Sequence, residues 1–150
     1  MISFARVARR VLVLALTLSP ALAHALDFRS IRMPGAVLYD APSASARKLY
    51  ILSGGYPVEI VVSVEGWHKV RDASGGLAWI ALADLSEEKT VMISVARAAV
   101  KREPADNAIT VFEAEQGLLL KVLDASNGWL KVQHRDGFSG FVRISQVWGG

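Results

Sequence analysis

The sequence predicts an all-β protein made of two tandem copies of a small, strongly bent barrel, and three observations lead there. The first is a repeat. A shift of 62 residues lays residues 36–85 on 98–147 without a gap, and nine of the fifty positions are then identical. The identities cluster where Gly66-Trp67-His68-Lys69-Val70 returns as Gly128-Trp129-Leu130-Lys131-Val132, the mark of a duplicated unit of about 50 residues. The second is a set of short runs rich in β-branched and aromatic residues, among them 57–64, 67–71 and 77–81, then 118–125, 129–133 and 138–144. The third is the punctuation between them. Glu65-Gly66, Ser74-Gly75-Gly76, Asn127-Gly128 and Asp136-Gly137 are turn and hairpin signals.

Taken in order, residues 1–25 are expected to be a secretory signal peptide. Arg6, Arg9 and Arg10 precede an apolar run from Val11 to Leu18, Ser19-Pro20 breaks it, and Ala23-His24-Ala25 offers a small-residue cleavage pattern after Ala25. The alternative is an uncleaved anchor, but the apolar run falls short of the roughly 20 residues a spanning helix needs. Residues 26–35 read as an extended arm and 36–86 as the first barrel. Residues 87–97, with the apolar stretch Thr90–Ala96, read as a connecting strand that docks the barrels together, and 98–150 read as the second barrel. Cleavage would leave a protein exported to the periplasm or beyond, with no stable hold in the membrane.

Period-two alternation sorts the side chains of each strand. Val70, Val132, Ile80 and Val142 fall on the core side, while Trp67, Lys69, Arg71, Trp79 and Phe141 share the other face.

The charge balance is instructive once it is located. There are 17 basic and 14 acidic side chains, a formal net charge of +3. The excess is the three arginines of the leader, so the chain from Leu26 onward is formally neutral. Nucleic acid therefore loses its usual electrostatic attraction as a partner. The sequence has no cysteine, which excludes a disulfide framework, a thiolate metal site and a cysteine nucleophile.

No catalytic constellation or metal site is expected either. His68 and His134 are not equivalent under the shift. His68 reads as a partly buried structural residue and His134 as a solvated turn residue. Glu87/Glu88 and Glu113/Glu115 sit in ordinary exposed settings. No cofactor is implied.

The pattern resembles the bacterial SH3-like domains, in the tandem form found in exported proteins. What carries the resemblance is an opening strand and Pro/Ser-rich loop (AVLYDAPSASARKLY), the glycine Gly55, the GWHKVRD strand, and a Gly-x-x-Trp-Ile strand leading to Leu85; the second copy repeats the pattern, with Phe141 in the tryptophan's place, and closes on SQVWGG. The resemblance implies small barrels that bind or target, often toward peptidoglycan or another envelope component. A non-enzymatic binding module is thus expected, with a groove at Tyr39, Trp67 and Trp79 and with Asp40 and Arg71 as nearby polar groups. Aromatic rings of this kind stack on sugar and peptide faces. Trp129 and Phe141 are the second-repeat equivalents. Lys101 replaces Tyr39 there, which suggests a structural part for that unit. Two other readings remain open: the rings brace the barrels, or the protein is an adaptor that takes an envelope polypeptide by strand addition.

Overall fold

The computed structural model describes residues 26–150, and the expected signal peptide lies outside the described residues. The first unit contains β1 (Phe28–Ile31), β2 (Ala36–Tyr39), β3 (Lys48–Leu52), β4 (Pro57–Val64), β5 (Trp67–Arg71), β6 (Leu77–Ala81), a one-turn 3-10 helix (Leu82–Asp84) and β7 (Leu85–Ser86). The second contains β8 (Thr90–Ile93), β9 (Arg97–Lys101), β10 (Thr110–Glu115), β11 (Leu119–Ser126), β12 (Trp129–Gln133), β13 (Ser139–Arg143), a 3-10 turn (Ile144–Gln146) and β14 (Val147–Gly149). Each unit is one antiparallel seven-stranded sheet, ordered β3-β2-β6-β5-β4-β1-β7 and β10-β9-β13-β12-β11-β8-β14. All-β architecture in two copies is as the sequence predicts. The barrels are curled open sheets whose outer strands, β3 with β7 and β10 with β14, are not hydrogen-bonded to each other.

Two segments differ from their expected roles. Phe28–Ile31 is no free arm: β1 pairs with β4 (Phe28↔Glu59, Ser30↔Pro57) and with β7 (Ile31↔Leu85). Its counterpart in the repeat is β8, a strand that touches the first unit at β4 as a docking strand would, but that also belongs to the second sheet through β11 and β14. The reason is burial. Ile31 and Ile93 are the paired residues at the ends of these strands, and each is enclosed in its own core.

The bend of each sheet comes from the long strand. β4 and β11 both carry one extra residue midway, between Ile60 and Val62 and between Val122 and Asp124. Such a bulge sharpens twist and lets a single strand serve both halves of a curled sheet. The hairpin that follows is tight in both units, closing on Val64↔Trp67 and Ser126↔Trp129. In the second unit Asn127 and Gly128 both take positive φ (51° and 81°), the two-residue turn whose twist matches its strands.

Core positions follow the alternation. Leu38, Val58, Val70 and Ile80 close the first core, and Val100, Leu120, Val132 and Val142 hold the same places in the second. Two exchanges break the match: Leu130 is buried in the second core where the first unit has the half-buried His68, and Val91 where it has Arg29. The two units meet along β1, β4, β8 and β14. Phe28 stands edge-on to Trp148, with ring centroids 5.1 Å apart. The Ser30 hydroxyl donates to the Glu88 carbonyl at 2.8 Å, and the Lys89 ammonium donates to the Phe28 carbonyl at 3.1 Å.

Candidate functional site

The outer face of each sheet gathers the side chains that alternation sends away from the core. In the first unit Tyr39 of β2 lies in register with Trp79 of β6, and Lys69 of β5 lies opposite Trp79 on the other side. The Tyr39 ring stands edge-on against Trp67 at 5.4 Å, an arrangement favoured by ring quadrupoles. All three rings are half-buried. The three expected aromatics are therefore brought together, and Lys69 joins them.

The two expected polar groups are engaged elsewhere. Asp40 closes its own loop by accepting from the Arg47 backbone N–H and from Nε of the same residue, both at 3.1 Å. Arg71 donates to Glu59 across β4 and β5 at 2.8 Å.

The second unit builds a different face from the same positions. Lys101, in Tyr39's place and in register with Phe141, turns its ammonium to the Thr110 hydroxyl at 3.1 Å. Trp129 is 6% exposed, roofed by the Arg143 guanidinium 4.4 Å from its ring centroid. Asp106 grips that guanidinium through both carboxylate oxygens, at 3.1 and 2.6 Å. Hydrogen bonding from Arg143 holds the Asp106 carboxyl below the usual carboxylate range. The first unit has alanine at both positions, Ala81 and Ala44, so the clamp belongs to the second copy alone.

Beside the clamp a cleft of about 160 Å³ opens, lined by Pro104, Asp124, Ser126, Asn127, Trp129, Lys131 and Phe141. Phe141 and Trp129 give it apolar walls. Asp124 and Lys131, directly opposite each other on β11 and β12, place an acceptor and a donor at its side. Such a site can stack a ring or an apolar face and hydrogen-bond its edges. The second unit, expected to serve structurally, thus carries this cleft on its aromatic face. Pro104, Asp124, Ser126, Asn127 and Lys131 were missed in the sequence. Signals had been there: Pro104 and Lys131 are identical pairs with Pro42 and Lys69, and Asn127 belongs to a turn signal.

The histidines have local partners. The Nδ1 of His68 lies 2.8 Å from the Ser63 hydroxyl, its pair across the hairpin, and among the described residues no carboxylate is hydrogen-bonded to its ring. His134 is half-buried rather than fully solvated, with its ring 6.1 Å from Phe112 and its Nδ1 3.2 Å from the Asp136 carboxylate. Among the described residues no group of three or more His, Asp or Glu is placed to hold a metal ion.

Among solved structures the chain is similar to NlpC2 from Trichomonas vaginalis, with 20% identity over 83% of this chain and 48% of that one and a TM-score of 0.37. NlpC1 from the same organism gives 22% identity, 82% and 45% coverage and a TM-score of 0.36. An NlpC/P60 family protein from Bacillus cereus gives 16%, 83% and 56%, with a TM-score of 0.36. The chain spans about half the length of these proteins. No curated protein matches it. The bacterial SH3 domain family matches it twice, over residues 33–87 and 94–149, once for each seven-stranded sheet. These two matches cover most of the sequence, and the chain belongs to the bacterial SH3 domain family as a tandem pair of domains.

Proposed function

We propose that the protein is an exported, non-enzymatic binding module that holds peptidoglycan or another component of the bacterial cell envelope on its aromatic faces. The observation that carries this reading is the cleft at Trp129 and Phe141, with Lys131 and Asp124 at its side. Rings flanked by a cation and hydrogen-bonding groups suit a glycan or a short peptide. The comparable ring group at Tyr39, Trp67 and Trp79 supplies a second face, and two faces on one chain raise avidity if both engage the same polymer.

Retention of the purified protein on isolated cell-wall sacculi tests this. Phe141→Ala is expected to cut retention roughly tenfold, the scale of one aromatic anchor. Trp67→Ala with Trp79→Ala should cut it less, because Lys69 there stands opposite Val62, where Lys131 stands opposite Asp124. Retention unchanged by either variant would end the proposal for these faces.

A second reading has its own observation. β3 is an outer strand whose Leu49, Tyr50 and Ile51 are all exposed, whereas its counterpart β10 carries Glu113 and Glu115. Charges on an outer strand discourage pairing with other chains, and β3 carries a single one, Lys48 at its start. An envelope protein bound by strand addition at β3 would be lost on Ile51→Pro while Phe141→Ala left it intact.

A further inference from the structure

The geometry points to another binding site, in the groove between the two units, for a short peptide that presents a free carboxylate. Two adjoining openings of about 420 and 490 Å³ lie between the β3–β4 turn of the first unit and the β12–β13 turn of the second. Both include Leu119, His134 and Arg135, so they form one groove, within the roughly 300–1,000 Å³ of small-ligand clefts. The facing wall is Gly54 and Gly55, where the chain offers bare backbone.

The repeat supplies an internal control for the charge of this groove. At the relevant positions the first unit has Glu59, Arg71, Asp72 and Ala73, one base against two acids. The second has Lys121, Gln133, His134 and Arg135, two bases and no acid. The duplicated surface has changed sign where the second unit faces the first. Lys121 pairs with Glu88, and the His134 Nδ1 accepts from the Asp136 backbone N–H at 3.3 Å. Arg135 is exposed and has no ion pair among the described residues.

A separate observation lies at the groove's edge. Thr90 lines it, and its hydroxyl is buried without a hydrogen-bond partner among the described residues, in a residue 8% exposed. An unpaired buried hydroxyl is unfavourable unless a ligand or a bound water satisfies it. Its counterpart in the first unit is Phe28, so the hydroxyl is found in the second unit alone.

A guanidinium recognises a carboxylate by paired hydrogen bonds. The half-buried Leu118 and Leu119 form a floor that takes the apolar body a bare anion lacks. This site stands apart from the cleft at Trp129 and does not depend on the proposal made for it.

The test is amide chemical-shift mapping on the purified protein. The probes are acetylated dipeptides with leucine or alanine as first residue, each as free acid and as C-terminal amide, with inorganic phosphate as a further probe. The acids are expected to shift Gly55, His134 and Gly137, and the amides to leave them unmoved. Arg135→Gln should weaken acid binding roughly tenfold. Because Arg135 is exposed, the variant should keep the wild-type spectrum elsewhere. No shift with any acid, equal shifts with amides or with phosphate, or shifts confined to Trp129 and Phe141 would each overturn the inference.

Discussion

Asp72 shows what single residues do in this fold. It is 7% exposed, and its carboxylate accepts from the Tyr50 hydroxyl at 2.8 Å, from the Ser74 N–H and hydroxyl at 2.9 and 2.5 Å, and from the Gly76 N–H at 3.0 Å. Burial alone would push the carboxyl up, but the hydrogen bonds from Ser74, Tyr50 and Gly76 outweigh it and hold the group below its ordinary range. A carboxyl that titrates lower folded than unfolded adds stability above its unfolded value, and that stability disappears as pH falls through its folded value. Asp72→Asn should therefore cost about 1–3 kcal/mol in urea unfolding at neutral pH. The deficit should shrink steadily below about pH 4. Gly76 is part of the same design, since a Cβ there would sit 2.7 Å from a carboxylate oxygen of Asp72. In the second unit His134 and Phe138 hold the two places, and the polar knot gives way to the Phe112–His134 contact. Gly76→Ala is expected to destabilise by about 1–2 kcal/mol in the same assay, through a displaced Asp72. The sequence showed that Asp72 and His134 are equivalent positions. It could not show the knot, which forms only when the turn folds back over Tyr50.

At the scale of elements, strands were legible wherever the repeat or the alternation was strong. Trp67–Arg71 and Leu77–Ala81 end within a residue of their expected bounds, because each alternates cleanly and is bracketed by glycine turns. β1 was read as an arm and β8 as a connecting strand, and what escaped was their place in the two sheets, because their sequences, FRSI and TVMI, share one identity and nothing local reveals that β4 and β11 leave an edge for them. The aromatic sites were half legible for a similar reason. Alternation correctly placed Trp67, Trp79 and Phe141 off the core. Trp129 has the same position as Trp67 and yet is buried, because Arg143 and Asp106 reach over it from 14 residues after it and 23 before it. No spacing rule anticipates a roof assembled from two other segments. Asp106→Ala should release Arg143 and expose Trp129, seen as a red shift and stronger acrylamide quenching of tryptophan emission. An unchanged spectrum would mean that the guanidinium stays over the ring without its carboxylate.

Across the whole molecule, the question is whether two similar domains act as one body. Each is small enough that its own core gives modest stability. Several contacts join them: the Phe28–Trp148 ring pair, the bond from Ser30 to the Glu88 carbonyl, and that from Lys89 to the Phe28 carbonyl. Gly149 tightens the seam, since at a φ of 104° its missing Cβ would lie 2.7 Å from the Pro57 ring and 2.9 Å from the Thr90 carbonyl. A side chain there would push the domains apart. The groove between them needs the same alignment, because one wall comes from each domain. The wild-type protein is therefore expected to unfold in a single cooperative transition. Trp148→Ala removes the ring that spans the seam and should lower stability by about 2–4 kcal/mol. It should also split the transition, the first domain and the second melting separately in differential scanning calorimetry. Gly149→Val should do the same through steric strain rather than lost contact. Two variants with one outcome would assign the coupling to the seam, whereas a single sharp transition in both would place it elsewhere in the chain.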